Sequence, residues 1–214
     1  MVIVLIAPIA LTFAYKEVAP PVTPLMVIRV FEGEGIAKKW VPIERISPNV
    51  IRAVIALEDT RFCQHDGVDW DSVQDAVADH LKGARLRGAS TISMQTAKNL
   101  FLWPGRNFLR KAIEAPLTYL LEWQLGKRRI LEIYLNVVEW GPGIYGVEAA
   151  AQRYFDKPAS ALTPWQSGLL AAILPNPRRW SPIRPTDYIR SRARTAMARS
   201  NAVAPRLRCL RGNA

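Results

Sequence analysis

The sequence predicts a mainly α protein, and its apolar periodicity and composition are the observations that predict it. From residue 34 onward, apolar residues recur at helical spacing almost everywhere, and no paired strands stand out. Half of the 214 residues are hydrophobic, which is enough to bury a core and argues against wholesale disorder. Several short helices without paired strands favour a mainly α domain.

The N-terminal segment, residues 1–18, opens with fifteen residues that carry no charge. A helix of that length would reach about 22 Å, short of the roughly 30 Å hydrocarbon core of a bilayer. A cleaved signal peptide would have a positive region before the apolar run and a small-residue cleavage site after it, and neither is clear. We therefore expect a membrane anchor that lacks its first residues, followed at residues 19–25 by a proline-rich, extended spacer.

The remaining elements follow along the chain. Residues 26–33 favour a short strand that ends in a glycine-rich turn. Ser47 is placed to cap the next helix, and Pro48 suits its first position. Further helices are expected near residues 70–83, 90–102, 107–135, 143–155, 163–174 and 185–200. Pro116 predicts a kink or a helix start inside the longest of them.

Positive charge is concentrated near the C-terminus. From Arg178 onward there are ten arginines and one acid, Asp187, so this stretch supplies +9 of the net charge of +11. Such a distribution fits a folded domain with a basic flank better than a main surface that grips nucleic acid. We interpret residues 183–214 as a basic tail that contacts anionic lipid headgroups, and a solvated arginine-rich helix explains the pattern about as well.

The two cysteines, Cys63 and Cys209, have no metal-binding spacing, and only two histidines accompany them. A structural zinc site is therefore not expected. Cys63 is interpreted as a small, partly buried free thiol, and a disulfide between the two cysteines stays open at this level.

The first candidate site lies at the end of the helix that Ser47 caps. Glu58 follows Ile51, Val54 and Ile55 at helical spacing, so it falls on the apolar stripe itself. A carboxylate on a buried stripe has a raised pKa unless it is paired, which suits a general base or acid. Asp59 points about a third of a turn away and is expected to orient a neighbour or to end the helix.

Two further clusters add groups of complementary chemistry. Ser90 can cap the helix near 90–102, on which Thr91, Gln95 and Lys98 form a hydrogen-bonding ridge suited to sugar hydroxyls and phosphate oxygens. Farther along, Arg110 and Glu114 stand four residues apart, and Glu114 again leads an apolar stripe. In isolation, an amphipathic surface helix and a surface ion pair explain these two clusters about as well.

Taken together, two acids on apolar faces, Glu58 and Glu114, flank two cations, Lys98 and Arg106. Paired carboxylates suit glycosyl chemistry, in which one group handles a hydroxyl proton while an oxocarbenium-like centre forms. The cations imply an anionic leaving group.

Five ordered motifs resemble those of the glycosyltransferase 51 family of peptidoglycan polymerases. The resemblance covers about residues 26–182, and no penicillin-binding domain follows it, as in the monofunctional members. The motifs are "EDTRFCQHDGVD", "RGASTISMQTAKNLF", "RKAIEAPLTYLLE", "KRRILEIYLN" and "GIYGVEAAAQRYF".

The resemblance implies a lysozyme-like helical lobe with a small membrane-proximal jaw lobe. It implies a catalytic domain at residues 26–182 in the periplasm, held to the bacterial inner membrane by a single-pass anchor, and sensitivity to moenomycin. Its substrates would be lipid II and a lipid-linked nascent glycan, joined by a β-1,4 linkage with inversion at the donor sugar. Cell-division or elongation proteins are conceivable partners, and nucleic acid is not expected.

The resemblance also implies roles for individual residues. Glu58 corresponds to the general base, and Glu114 to a second acid near the donor pyrophosphate or a divalent cation bound there. Lys98 and Arg106 correspond to cations that stabilise the departing pyrophosphate. The residues that would line the donor site or shape the first motif are Asp59, Phe62, His65, Ser90, Thr91, Gln95, Asn99 and Arg110.

Two other classes of function remain at this level. A lysozyme-like lytic enzyme would use one glutamate of raised pKa on the same polymer, but it leaves the cations beside the acids unexplained. A non-catalytic membrane scaffold would bind cell-wall precursors through its basic C-terminal residues.

Overall fold

The computed structural model describes residues 2–83, 88–105 and 108–211, and in these ranges it confirms the mainly α class. Nine α-helices and three very short strands are present in this part of the chain. The helices are α1 Val2–Ala14, α2 Pro24–Phe31, α3 Pro48–Glu58, α4 Trp70–Leu81, α5 Ile92–Phe101, α6 Phe108–Val137, α7 Val147–Phe155, α8 Pro164–Ile173 and α9 Asp187–Val203. The strands are β1 Ala37–Lys38, β2 Glu139–Gly141 and β3 Ile144–Tyr145.

The core forms where α3, α8 and α9 pack together and where α5 packs on α6. Val54 and Ile55 of α3 are fully buried, as are Ile130 and Leu131 in the second half of α6. The end of α3 and the whole of α5 therefore pack on one hydrophobic core. Close packing fixes the side chains of the first two motifs relative to each other.

The small sheet has the order β1-β3-β2, with β1 parallel to β3 and β2 antiparallel to β3. Asn136, just before β2, clamps the chain near β1, because its side-chain amide bonds both the N–H and the carbonyl of Val41 at 2.9 Å. The sheet thus joins the end of α6 to the segment that leads into α3.

The strand predicted over residues 26–33 is wrong, since these residues lie mostly in α2. Thr23 accepts the Met26 N–H on its side chain, and Pro24 occupies the first helical position. This threonine–proline start signal outweighs the β-branched content of the run that follows it. The extended spacer is accordingly shorter than the predicted residues 19–25.

The helix start allowed at Pro116 is also wrong, since α6 begins at Phe108. Helix α6 runs through Pro116, and its non-helical backbone lies instead at Gly126, with φ 69° and ψ 165°. Glycine adopts a positive φ without the steric cost that other residues pay, so the chain bends where that freedom exists.

The N-terminal helix α1 has 13 residues. Within residues 2–83, 88–105 and 108–211, no helix combines the length and apolarity that crossing a membrane requires. The C-terminal end of α1 packs on α6, where Arg129 donates from Nε to the Tyr15 carbonyl at 2.8 Å.

The C-terminal residues form part of the domain, although we interpreted residues 183–214 as a basic tail. Helix α9 begins after Thr186, whose side chain accepts the Ile189 N–H, and it buries Ile189, Ala193 and Ala196 against α3 and α8. Because the apolar residues recur at helical spacing among the arginines, the same helix has a buried face and a charged face.

Cys63 and Cys209 form a disulfide, with their Cα atoms 5.6 Å apart. The interpretation of Cys63 as a free thiol is therefore wrong. Sequence separation hid the pairing, because the two positions are 146 residues apart and only the packed chain end brings them together.

Candidate active site

Glu58 is the last residue of α3, and its side chain is 12% exposed. Its Oε2 accepts a hydrogen bond from Gln95 Nε2 at 3.0 Å, and Arg192 Nη2 lies 4.0 Å from its Oε1. Burial is the main reason that the pKa of Glu58 is raised, while Gln95, Arg192 and Lys98 act in the opposite direction. The structure thus gives Glu58 the environment of a proton acceptor, as its place on the apolar stripe predicts.

Asp59 lies at the C-terminal end of α3, and its hydrogen bonds hold neighbouring groups in place. Its Oδ2 accepts the Ile92 N–H at 2.9 Å, at the start of α5, and its carboxylate contacts His65 Nε2 at 3.0 Å and 3.1 Å. Gly67 donates its N–H to His65 Nδ1 at 3.1 Å, so the ring proton belongs on Nε2 and points to Asp59. Asp59 therefore ties the first motif to the second.

Phe62 is a buried core residue of the 3-10 turn that follows α3, with 1% exposure. The Lys127 ammonium lies 4.6 Å from its ring centroid, and its edge meets the His65 ring. Phe62 and His65 thus shape the first motif from behind the carboxylates.

Thr91, and not Ser90, caps α5. The Thr91 hydroxyl accepts the Met94 N–H at 3.1 Å and donates to the Gly67 carbonyl. Ser90 accepts a hydrogen bond from Lys111 Nζ at 3.1 Å on its hydroxyl. The expected cap is therefore shifted by one residue, and both hydroxyls line the cavity that holds Glu58.

Lys98 lies one turn beyond Gln95 on α5. Burial lowers the pKa of the Lys98 ammonium, Arg110 and Lys111 add to that effect, and the carboxylates of Glu114 and Glu58 raise it. Both of the acids predicted from the sequence, Glu58 and Glu114, therefore interact electrostatically with the Lys98 ammonium. Within the described residues it forms no ion pair shorter than 4.0 Å, so its charge is available to a ligand.

Glu114 is 2% exposed and is held by two cations. Arg110 donates from Nη1 to its Oε2, and Lys111 donates from Nζ to its Oε1 at 2.6 Å. The predicted pairing of Arg110 with Glu114 is confirmed. This carboxylate orients cations at the site, because both of its oxygens are already hydrogen-bonded.

The residues at Glu114 do not fit a divalent cation. Two cations already neutralise this carboxylate, and no group of three or more histidine, cysteine or acidic side chains is placed to hold a metal anywhere in the described ranges. We therefore attribute the positive charge at this site to side chains.

Two cavities open along these residues. One, of about 310 Å³, is lined by Glu58, Asp59, Ser90, Thr91 and the guanidinium-bearing Arg199 of α9, among others. The second, of about 400 Å³, is lined by residues that include three cations and an amide: Arg29, Lys98, Arg110 and Asn99. The first is suited to a hydroxyl that loses a proton, and the second to an anion.

The structure brings eleven of the predicted site residues together along α3, α5 and α6, and the twelfth, Arg106, lies outside the described residues. Sequence reasoning missed five contributors: Arg29, Lys111, Tyr134, Arg192 and Arg199, the last two of which lie on α9. Lys111 adjoins a predicted residue, and Tyr134 falls in a quoted motif, so both carried a signal. Arg29 and the two arginines of α9 carried none, because α2 and α9 reach the site only through packing.

The fold and these cavities combine a desolvated carboxylate with neighbouring cations, which are the groups that enzymes use for general acid–base catalysis and for binding anions. The chain belongs to the transglycosylase family, whose sequence model, described as Transglycosylase, matches residues 26–201. This membership confirms the predicted family and the predicted peptidoglycan glycosyltransferase activity, which serves glycan polymerisation in cell wall synthesis.

Several curated relatives carry the name biosynthetic peptidoglycan transglycosylase. The protein of Rhodospirillum centenum is 57% identical over 188 residues, which cover 87% of this chain and 81% of the relative. That of Caulobacter vibrioides is 50% identical over 202 residues, covering 94% and 88%. That of Brucella suis is 44% identical over 212 residues, covering 99% and 95%.

Proposed function

We propose that the protein extends peptidoglycan strands by transferring the lipid-linked glycan from undecaprenyl pyrophosphate to the 4-hydroxyl of the N-acetylglucosamine of lipid II. The observation that carries this proposal is that a desolvated carboxylate, Glu58, accepts a hydrogen bond from Gln95 of α5, one turn before Lys98, whose ammonium forms no ion pair with the described residues. Base and anion stabiliser are the two functions that such a transfer needs.

In the proposed step, Glu58 takes the proton of the acceptor hydroxyl as its oxygen attacks C1 of the donor sugar. The C1–O bond to pyrophosphate breaks, and the negative charge moves onto the leaving pyrophosphate. A single displacement inverts the donor from an α to a β configuration, so one base is sufficient.

The leaving pyrophosphate would occupy the cavity lined by Arg29, Lys98 and Arg110. Glu114 pairs with Arg110 of this cavity and with the neighbouring Lys111, which fixes these cations before the charge develops. Asn99, Ser90 and Thr91 supply further polar groups at the edges of the two cavities.

We place the catalytic domain in the periplasm. The disulfide between Cys63 and Cys209 supports this, because disulfides form and persist in oxidising compartments and are rare in the cytosol. The proposed anchor is the apolar N-terminal segment that contains α1, and lipid-linked substrates would then reach the site from the same membrane.

Polymerisation of lipid II by the wild-type protein and by Glu58→Gln tests the proposal. We expect glycan chains from the wild type and a loss of at least about 10²-fold in rate with Glu58→Gln, because the amide cannot accept the proton. Glu148→Gln is the matched control: this glutamate is 4% exposed, away from both cavities, and accepts the Ala159 N–H at 2.7 Å. Moenomycin should inhibit the wild-type reaction.

Two outcomes would contradict the proposal. One is cleavage of preformed glycan with no chain growth, which would indicate a lytic enzyme. The other is a polymerisation rate that Glu58→Gln leaves unchanged, which would remove the base from the mechanism.

A further inference from the structure

Tyr134 lies in the second half of α6 and is fully buried. It belongs to the motif "KRRILEIYLN", whose Asn136 serves the fold by clamping Val41. The Tyr134 hydroxyl has a different partner, since it donates to Gln95 Oε1 at 3.1 Å.

Gln95 continues this contact to the proposed base. Its Nε2 donates to Glu58 Oε2 at 3.0 Å, so the phenol, the amide and the carboxylate form a chain of two hydrogen bonds. An amide has a donor end and an acceptor end, and an ionised carboxylate can only accept. The carboxylate therefore takes the amide N–H, and the phenol proton on Oε1 adds a second hydrogen bond that stabilises this orientation of Gln95.

Several charged groups face Glu58 from the elements packed around it. Lys98 lies on α5, Arg192 approaches from α9, and Asp59 adjoins Glu58 at the end of α3. The uncharged Gln95 makes a direct hydrogen bond to Glu58, and it lowers the pKa of Glu58 more than Arg192 or Lys98 does. The orientation of the Gln95 amide therefore determines how strongly the charged form of Glu58 is stabilised.

We propose that Tyr134 is a positioning residue for the base of the transfer reaction, acting on Glu58 through the amide of Gln95. This inference depends on the proposed role of Glu58. Burial, with smaller contributions from Glu58 and Asp59, raises the pKa of Tyr134 well above its usual value, so the phenol keeps its proton at neutral pH.

Loss of the phenol oxygen would release the amide. In Tyr134→Phe the Gln95 carbonyl loses its hydrogen-bond donor, so a single hydrogen bond, instead of two, holds the amide N–H toward Glu58. The charged form of Glu58 is then disfavoured and its pKa rises. Because the base works only when deprotonated, activity at low pH falls while activity at high pH is kept.

The pH dependence of kcat/KM for lipid II polymerisation is the test. We expect Tyr134→Phe to shift the acid limb upward by about 0.5–1 pH unit, which is a loss of about three- to tenfold on that limb with little change at the plateau. Tyr154→Phe is the matched control, because it also removes a hydroxyl that makes a 3.1 Å bond, here to the Trp140 carbonyl. Its profile should match that of the wild type.

A double-mutant cycle separates this role from a general loss of packing. Gln95→Leu should shift the acid limb in the same direction, and adding Tyr134→Phe to it should cause no further shift, because the relay is already cut. Independent, additive shifts would overturn the inference.

A second measurement leaves Tyr134 in place in case its substitution prevents folding. In protein labelled with ¹³C-tyrosine, the Tyr134 Cζ resonance should follow the titration of Glu58, and it should lose most of this response in Gln95→Leu. A response that is absent in the wild type, or equal in Gln95→Leu, would overturn the inference.

These outcomes are distinct from a failure of the proposed function. A wild-type protein that does not polymerise lipid II refutes the function. A wild type that polymerises, with a Tyr134→Phe profile that superimposes on its own, refutes the positioning role alone.

Discussion

At the scale of the residue, two adjacent carboxylates at the end of α3 have different surroundings. Glu58 faces a cavity and accepts one side-chain amide, whereas Asp59 accepts a backbone N–H and a histidine ring. The helical phase set by Ile51, Val54 and Ile55 separates the two, because it turns Glu58 along the apolar stripe and Asp59 toward the start of α5. One residue of helical rotation thus separates the proposed base, Glu58, from Asp59, which ties the first two motifs together.

The same scale sets the expected pH dependence. The raised pKa of Glu58 means that the base becomes protonated, and activity is lost, as the pH falls through a value above the ordinary one of about 4.3. The lowered pKa of Lys98 means that the cation is lost as the pH rises through a value below the ordinary one of about 10.4. The two pKa shifts narrow the pH range of activity from both sides, and they predict a bell-shaped dependence of activity on pH.

At the scale of the element, α5 carries most of the site because of how it begins. Its first turn receives two caps, one from its own Thr91 and one from Asp59, whose carboxylate accepts the Ile92 N–H. An acid at a helix N-terminus is favourable for the dipole as well as for the unsatisfied N–H groups. This double cap fixes Gln95 and Lys98, one and two turns later, relative to Glu58.

Removal of the threonine cap should therefore affect stability. We expect Thr91→Ala to lower the free energy of unfolding by about 1–2 kcal/mol, since the hydroxyl bonds both Met94 and Gly67. Urea denaturation measures this change, and Thr91→Ser, which keeps the hydroxyl, is the control that should restore it. An alanine variant with wild-type stability but no activity would instead indicate that Thr91 acts on the substrate.

At the scale of the whole molecule, the chain end completes the site. Helix α9 brings Arg192 to Glu58 and Arg199 to the same cavity, and the turn that follows α9 is joined to the first motif by the disulfide. Arg128 also donates to the Leu210 carbonyl at 2.7 Å, which ties this end to α6. Residues distant in sequence thus contribute two cations to the surroundings of Glu58.

The disulfide should contribute substantially to stability. Cys209→Ser should lower the free energy of unfolding by about 2–5 kcal/mol, because a crosslink that closes a long loop restricts the unfolded chain. Thermal or urea unfolding under non-reducing conditions measures the loss. A variant with both cysteines replaced by serine should match the single variant, and an unchanged unfolding midpoint in either would contradict a structural role for the crosslink.

The sequence predicts those features that depend on neighbouring residues and not those that depend on contacts between distant parts of the chain. Local signals, such as the Ser47 cap and the apolar phase around Glu58, predict α3 and the orientation of its acid correctly. Another local signal, the threonine–proline pair before α2, indicates a helix start, whereas the β-branched residues that follow it favour the strand that we expected. Contacts that close over many residues, such as Cys63 with Cys209 and Arg192 with Glu58, leave no local pattern, and only the packed chain reveals them.

The most direct test of the central claim, that Glu58 is the base of chain growth, is the pH dependence of kcat/KM for lipid II polymerisation by the wild-type protein and by Glu58→Gln. We predict a wild-type acid limb whose apparent pKa lies above the ordinary glutamate value of about 4.3, and the disappearance of that limb from the residual activity of Glu58→Gln. A limb that persists unchanged in Glu58→Gln would assign the titrating base to another residue and contradict the claim.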